Sequence, residues 1–82
     1  MGKYSVLIIE DHALTRFGLR TAFESEEIFD RILEAQNAKN GIELIEKNPV
    51  DIVIMDLGLP DMNGIEATKL IKDKYSNIKV VI

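Results

Sequence analysis

Apolar residues are distributed along this chain in two rhythms. The runs YSVLII (4–9), DIVIM (51–55) and KVVI (79–82) are short, mostly β-branched and not alternated with polar residues. Such runs predict strands buried on both faces of a parallel sheet. RILEAQ (31–36) is a weaker run of the same kind and is expected at a sheet edge. Between the runs the spacing becomes helical. In ALTRFGLRTAFESE, Leu14, Phe17, Ala22 and Phe23 are expected to share a stripe, with Arg20 and Glu24 paired at i,i+4 on the outer side. AKNGIELIEKN sets Ile42 and Ile45 together, and Pro49 ends that helix. In GIEATKLIKDKY, Ala67, Leu70, Ile71 and Lys74 make a face whose lysine stem can cover apolar surface. The order β-α-β-α-β-α-β predicts right-handed crossovers and a parallel α/β sheet.

Composition narrows the function classes. The 82 residues are 46% hydrophobic and 29% charged, ordinary values for one small globular domain. A formal charge of −4 is the opposite of a basic nucleic-acid footprint, so this segment is not expected to bind nucleic acid directly. The absence of cysteine excludes a disulfide framework and a thiolate metal site, and is compatible with the cytoplasm. No apolar run approaches the roughly 18 residues of a membrane span, and MGKYSVLIIE lacks the layout of a signal peptide. The chain stops on KVVI, inside an apolar run. Residues 1–82 are therefore read as the N-terminal part of a larger domain, with no output domain.

Candidate chemistry sits where the strands end. VLIIED closes on Glu10 and Asp11, and DIVIMD closes on Asp56. Open parallel sheets bind ligands beyond the carboxyl ends of their strands, where the strand order reverses. If the first and third strands are neighbours, three carboxylates converge there and need compensation. A hard divalent cation bound through oxygen provides it, and Mg2+ characteristically combines one or two carboxylates with a phosphate. Carboxylate, Mg2+ and phosphate together suggest an aspartyl phosphate. Gly58 and Pro60 shape the loop behind it, so the Gly58 carbonyl could face the metal. Simpler roles exist for each residue: an aspartate ending a strand forms turns, and a Glu-Asp pair caps a helix. Asp61 and Asn63 read as turn residues only.

VLIIEDH and DIVIMDLGLPDMNGIE, with the spacing between them, resemble the receiver domain of bacterial two-component response regulators over the whole chain. EDHALTRFGL looks most like the subfamily with a LuxR-type helix-turn-helix output, the NarL/LuxR type. The resemblance implies a flavodoxin-like (CheY-like) doubly wound sheet. It further implies Asp56 as phosphoacceptor, Mg2+ held by Glu10, Asp11, Asp56 and the Gly58 backbone carbonyl, and a sensor histidine kinase as partner. The family also carries a Ser or Thr after the fourth strand, a Lys after the fifth, a fifth strand and two more helices, none of which lies within residues 1–82. An unpaired fourth-strand edge would then favour self-association, by edge pairing or strand exchange. Two alternatives are a structural, non-signalling fragment and a Mg2+-dependent phosphohydrolase with an aspartate nucleophile. Against the latter, Gly58 stands where such enzymes place a second aspartate. His12 is read as an exposed turn residue, Phe17, Phe23 and Phe29 as core, and Arg16 and Arg20 as a solvated face or a kinase-docking surface.

Overall fold

The computed structural model describes residues 2–82. Its elements are β1 (Tyr4–Ile9), α1 (Ala13–Glu24), β2 (Phe29–Ala35), α2 (Ala38–Lys47), β3 (Ile52–Met55), α3 (Gly64–Lys74) and β4 (Lys79–Val81). The strands form one parallel sheet in the order β2-β1-β3-β4. This is the doubly wound arrangement expected from the sequence. β2 begins two residues before the expected run because Phe29 still pairs with Tyr4, across an irregularity between Tyr4 and Ser5.

Topology assigns the faces. The chain steps outward from β1 to β2, then returns past β1 to β3 and on to β4. Right-handed crossovers in opposite directions place α1 on one face and α2 and α3 on the other. Strand residues alternate accordingly: Leu7, Ile9, Val53 and Met55 join Ala38, Ile45, Ala67 and Ile71 in one buried cluster. Val6 and Ile8 occupy the opposite side of β1 and are fully buried as well. A central strand buried on both sides is the reason its sequence does not alternate.

Two helical faces differ from the expected ones. In α1, Leu14 is 83% and Phe17 66% exposed, and Ala22 is exposed too. The side turned toward the sheet is Arg16, Leu19, Arg20 and Phe23, each half-buried. The stripe is rotated because both arginines bond groups on β2, Arg16 to Glu34 and Arg20 to Glu34 and the Ile32 carbonyl. Of the three phenylalanines expected in the core, Phe23 and Phe29 meet edge to face at 5.2 Å, whereas Phe17 faces outward. In α3 the buried stripe is Gly64, Ala67 and Ile71. Leu70 lies about 100° round the helix from Ile71 and stays half exposed.

Candidate functional site

β1 and β3 are neighbours, paired from Val6–Ile52 to Ile9–Met55, and the strand order reverses between them. The residues following each strand therefore meet at one corner. The Asp56 backbone N–H donates to the Ile9 carbonyl at 3.0 Å, extending the ladder by one step. The Glu10 N–H likewise donates to the Ala35 carbonyl at 3.0 Å. Both acids are thus held by backbone bonds to the sheet, not left in free loops.

Ligand atoms of Glu10, His12 and Asp56 all lie within 4.8 Å of one another. Glu10 is 8% exposed. Its Oε2 accepts from the His12 backbone N–H at 2.9 Å and lies 2.8 Å from His12 Nδ1. That hydrogen bond, reinforced by the charge of Glu10, raises the His12 pKa above its ordinary value. The imidazole itself is mostly exposed. Asp11 is exposed and falls outside this trio. His12 is the N-cap position of α1, but its side chain bonds no helix N–H.

Asp56 differs from the aspartate at the other end of the same strand. Asp51 Oδ2 accepts from the Ser5 N–H at 2.8 Å. Asp56 Oδ1 receives only a long 3.3 Å contact from the Gly58 N–H. Asp56 Oδ2 is, among the described residues, the single buried side-chain oxygen without a hydrogen-bond partner. An unpartnered buried carboxylate oxygen is costly and calls for a ligand. The neighbouring acid, Glu10, adds oxygen donors of the kind hard divalent cations take, so the corner fits a metal ion. A cavity of about 340 Å³ opens beside it, lined by Glu10, Asp56, Leu57, Leu19, Ile54 and Ile82.

Three supporting interactions went unforeseen in the sequence. Asp61 is more than a turn residue: its oxygens accept from the Ala38 and Lys39 N–H groups, both at 2.9 Å, and so tie the loop after β3 to the start of α2. Burial works to raise the Asp61 pKa, but these backbone N–H bonds outweigh it and hold the carboxyl below its ordinary value. Arg16 is less free than a solvated face implies: its side chain is 14% exposed, and Nη1 donates to the Glu10 carbonyl at 2.8 Å. Asn63, read as a turn residue, caps α3 by accepting from the Glu66 N–H.

Known proteins are similar to this chain in sequence and in fold. The family model described as response regulator receiver domain matches residues 6–82. The transcriptional regulatory protein DegU of Brevibacillus brevis is 34% identical over 80 residues, which cover 98% of this chain and 34% of DegU. A protein-glutamate methylesterase/protein-glutamine glutaminase of Paramagnetospirillum magneticum is 44% identical over 66 residues, or 80% of this chain and 19% of that protein. The isolated REC domain of RcsB from Salmonella enterica serovar Typhimurium, solved in the presence of the phosphomimetic BeF3-, superposes with a TM-score of 0.89 at 26% identity, covering 96% of this chain and 59% of that one. The chain spans about a third of the length of DegU. With the family model matched from β1 to the last residue, this chain belongs to the response regulator receiver domain family.

Proposed function

We propose that the chain is the phosphoryl-accepting module of a two-component response regulator, with Asp56 as acceptor and a phosphohistidine of a sensor histidine kinase as donor. The unpartnered, buried Oδ2 of Asp56 beside Glu10 carries this reading. Glu10, Asp11, Asp56 and the Gly58 carbonyl would hold Mg2+, which when bound supplies positive charge against the phosphoryl oxygens. An Asp56 oxygen attacks phosphorus in line. The P–N bond to the donor imidazole breaks, its electron pair stays on nitrogen, and that nitrogen takes up a proton. With acetyl phosphate as donor, the bond to the acyl-phosphate oxygen breaks instead and acetate leaves.

The chain's contribution is placement. β3 and the bond from the Asp56 N–H to the Ile9 carbonyl hold the acceptor at the mouth of the crevice. Well-oriented groups of this kind can account for several kcal/mol of a barrier. Such a module is an acceptor and not a turnover enzyme. Its similarity to both a transcriptional regulator and a methylesterase supports one receiver joined to different outputs, with a transcriptional output favoured by DegU. A cytoplasmic location accords with this role, and no helix among the described residues is long and apolar enough to cross a membrane.

The test is intact mass after incubation with Mg2+ and acetyl phosphate, with Asp56→Asn in parallel. One added phosphoryl group in the parent, absent in the variant and abolished by EDTA, is the expected outcome. Equal labelling of the variant would overturn the assignment. A second reading, self-association, is favoured by the exposed Leu14, Phe17, Leu57, Val81 and Ile82 together with the position of β4 at the sheet edge.

A further inference from the structure

Residues 10–12 carry half of the acid corner yet belong to neither β1 nor α1. Their backbone is held at few points. The Glu10 N–H reaches the Ala35 carbonyl, and the Arg16 N–H reaches the His12 carbonyl in the first turn of α1. The Glu10 carbonyl is held by a side chain: Arg16 Nη1 donates to it at 2.8 Å. That guanidinium is fixed in turn. Its Nε donates to Glu34 Oε1 at 3.1 Å, while Glu34 Oε2 accepts from Arg20 Nη1 at 2.9 Å. Glu34 thus divides its two oxygens between two arginines, and only one of them continues to the acid turn.

We propose that Arg16 is a positioning residue for cation binding: oriented by Glu34, it sets the plane of the peptide joining Glu10 to Asp11 and so aims the carboxylates at the metal position. This rests on the metal reading given above. A planar guanidinium can bond the carbonyl and Glu34 together, while a lysine ammonium brings the charge without that fork. Groups that orient metal ligands in this way typically change metal affinity by about 10- to 100-fold when removed. Arg20 is the built-in comparison. It bonds the same Glu34 and the Ile32 carbonyl, and it has no bond to residues 10–12.

The experiment is calorimetric titration of the whole chain with Mg2+ for the parent, Arg16→Met, Arg16→Lys and Arg20→Met, with urea midpoints of each. Arg16→Met is expected to weaken Mg2+ binding about 10-fold. Arg16→Lys is expected to fall between it and the parent, and Arg20→Met to stay within about twofold of the parent despite a similar urea midpoint. In acetyl phosphate labelling, Arg16→Met should need more Mg2+ for half-maximal rate and reach the parental plateau. Parental Mg2+ affinity in both Arg16 variants would overturn the proposal, as would equal losses in Arg16→Met and Arg20→Met. If Arg16→Met does not fold, Arg16→Lys alone decides: weakened binding supports the proposal and parental affinity overturns it. Absence of saturable Mg2+ binding by the parent itself would remove the metal reading and this inference together, an outcome distinct from failure in the variants alone.

Discussion

Two glycines flank the acid corner and do opposite things. A Cβ at Gly58 would meet nothing within 4 Å, whereas one at Gly64 would lie 2.5 Å from the Asp56 carbonyl oxygen and 2.9 Å from Leu57 Cα. Neither has a positive φ, so Gly64 is required by close approach and not by backbone conformation. Alanine at the first position of α3 would gain at most about 1 kcal/mol of helix propensity. Displacing backbone to make room costs about 1–3 kcal/mol, so the clash wins. Gly64→Ala should therefore lower the urea midpoint and disturb the Asp56 carbonyl, while Gly58→Ala should leave stability within about 0.5 kcal/mol of the parent. Equal stability of the two variants would contradict this. The sequence put Gly58 in the loop behind Asp56 and Gly64 at the start of the next helical segment, but the crowding at Gly64 was not legible, because the atoms responsible belong to Asp56 and Leu57, brought against it by the fold.

At the scale of elements, α2 is started from a distance. Asn37 accepts from the Asn40 N–H, and Asp61 takes the two preceding donors at Ala38 and Lys39. Three otherwise unpartnered N–H groups of the first turn are thereby satisfied. Asp61→Ala should cost about 1 kcal/mol, the usual worth of a capping side chain. The sign with pH follows from the depressed Asp61 pKa: the folded state favours the carboxylate, so this contribution is complete above about pH 5 and fades as pH falls through the folded value. Urea melts of parent and variant at neutral pH and at pH 3 should therefore differ less at the lower pH. A gap that is constant, or that widens in acid, would contradict the capping role. The strands were legible along the chain as short β-branched runs, whereas their order in the sheet was implied by the resemblance to the receiver family. The Asp61 cap was not legible, since its partners lie 22 and 23 residues away. The face of α1 was misjudged for a related reason. Hydrophobicity selects Leu14 and Phe17, but arginines bonded to β2 choose the side that meets the sheet.

For the whole molecule, apolar surface is distributed unevenly between the two faces. The side under α2 and α3 is a closed cluster. On the α1 side, Leu14 and Phe17 project outward, and the cavity between Leu19, Ile54 and Ile82 opens toward β4. Exposed apolar area drives association, and a net charge of −4 is a modest opposing repulsion. The 82-residue chain should self-associate at micromolar concentration, with an average mass by light scattering above that of the 9.3 kDa monomer. Phe17→Lys should reduce it. A monodisperse monomer would contradict this reading of the surface.

If the proposed function holds, the acid corner directs phosphoryl transfer to one carboxylate among several. Reduction with borohydride after exposure to acetyl phosphate and Mg2+ converts an acyl phosphate to the corresponding alcohol, homoserine at an aspartate and hydroxynorvaline at a glutamate, and peptide mass mapping locates the residue that carried it. Conversion is expected at Asp56 alone, abolished by EDTA, with Glu10, Asp11 and Asp51 intact. Conversion at any of those three, or none at all in a chain that is folded by circular dichroism, would contradict it.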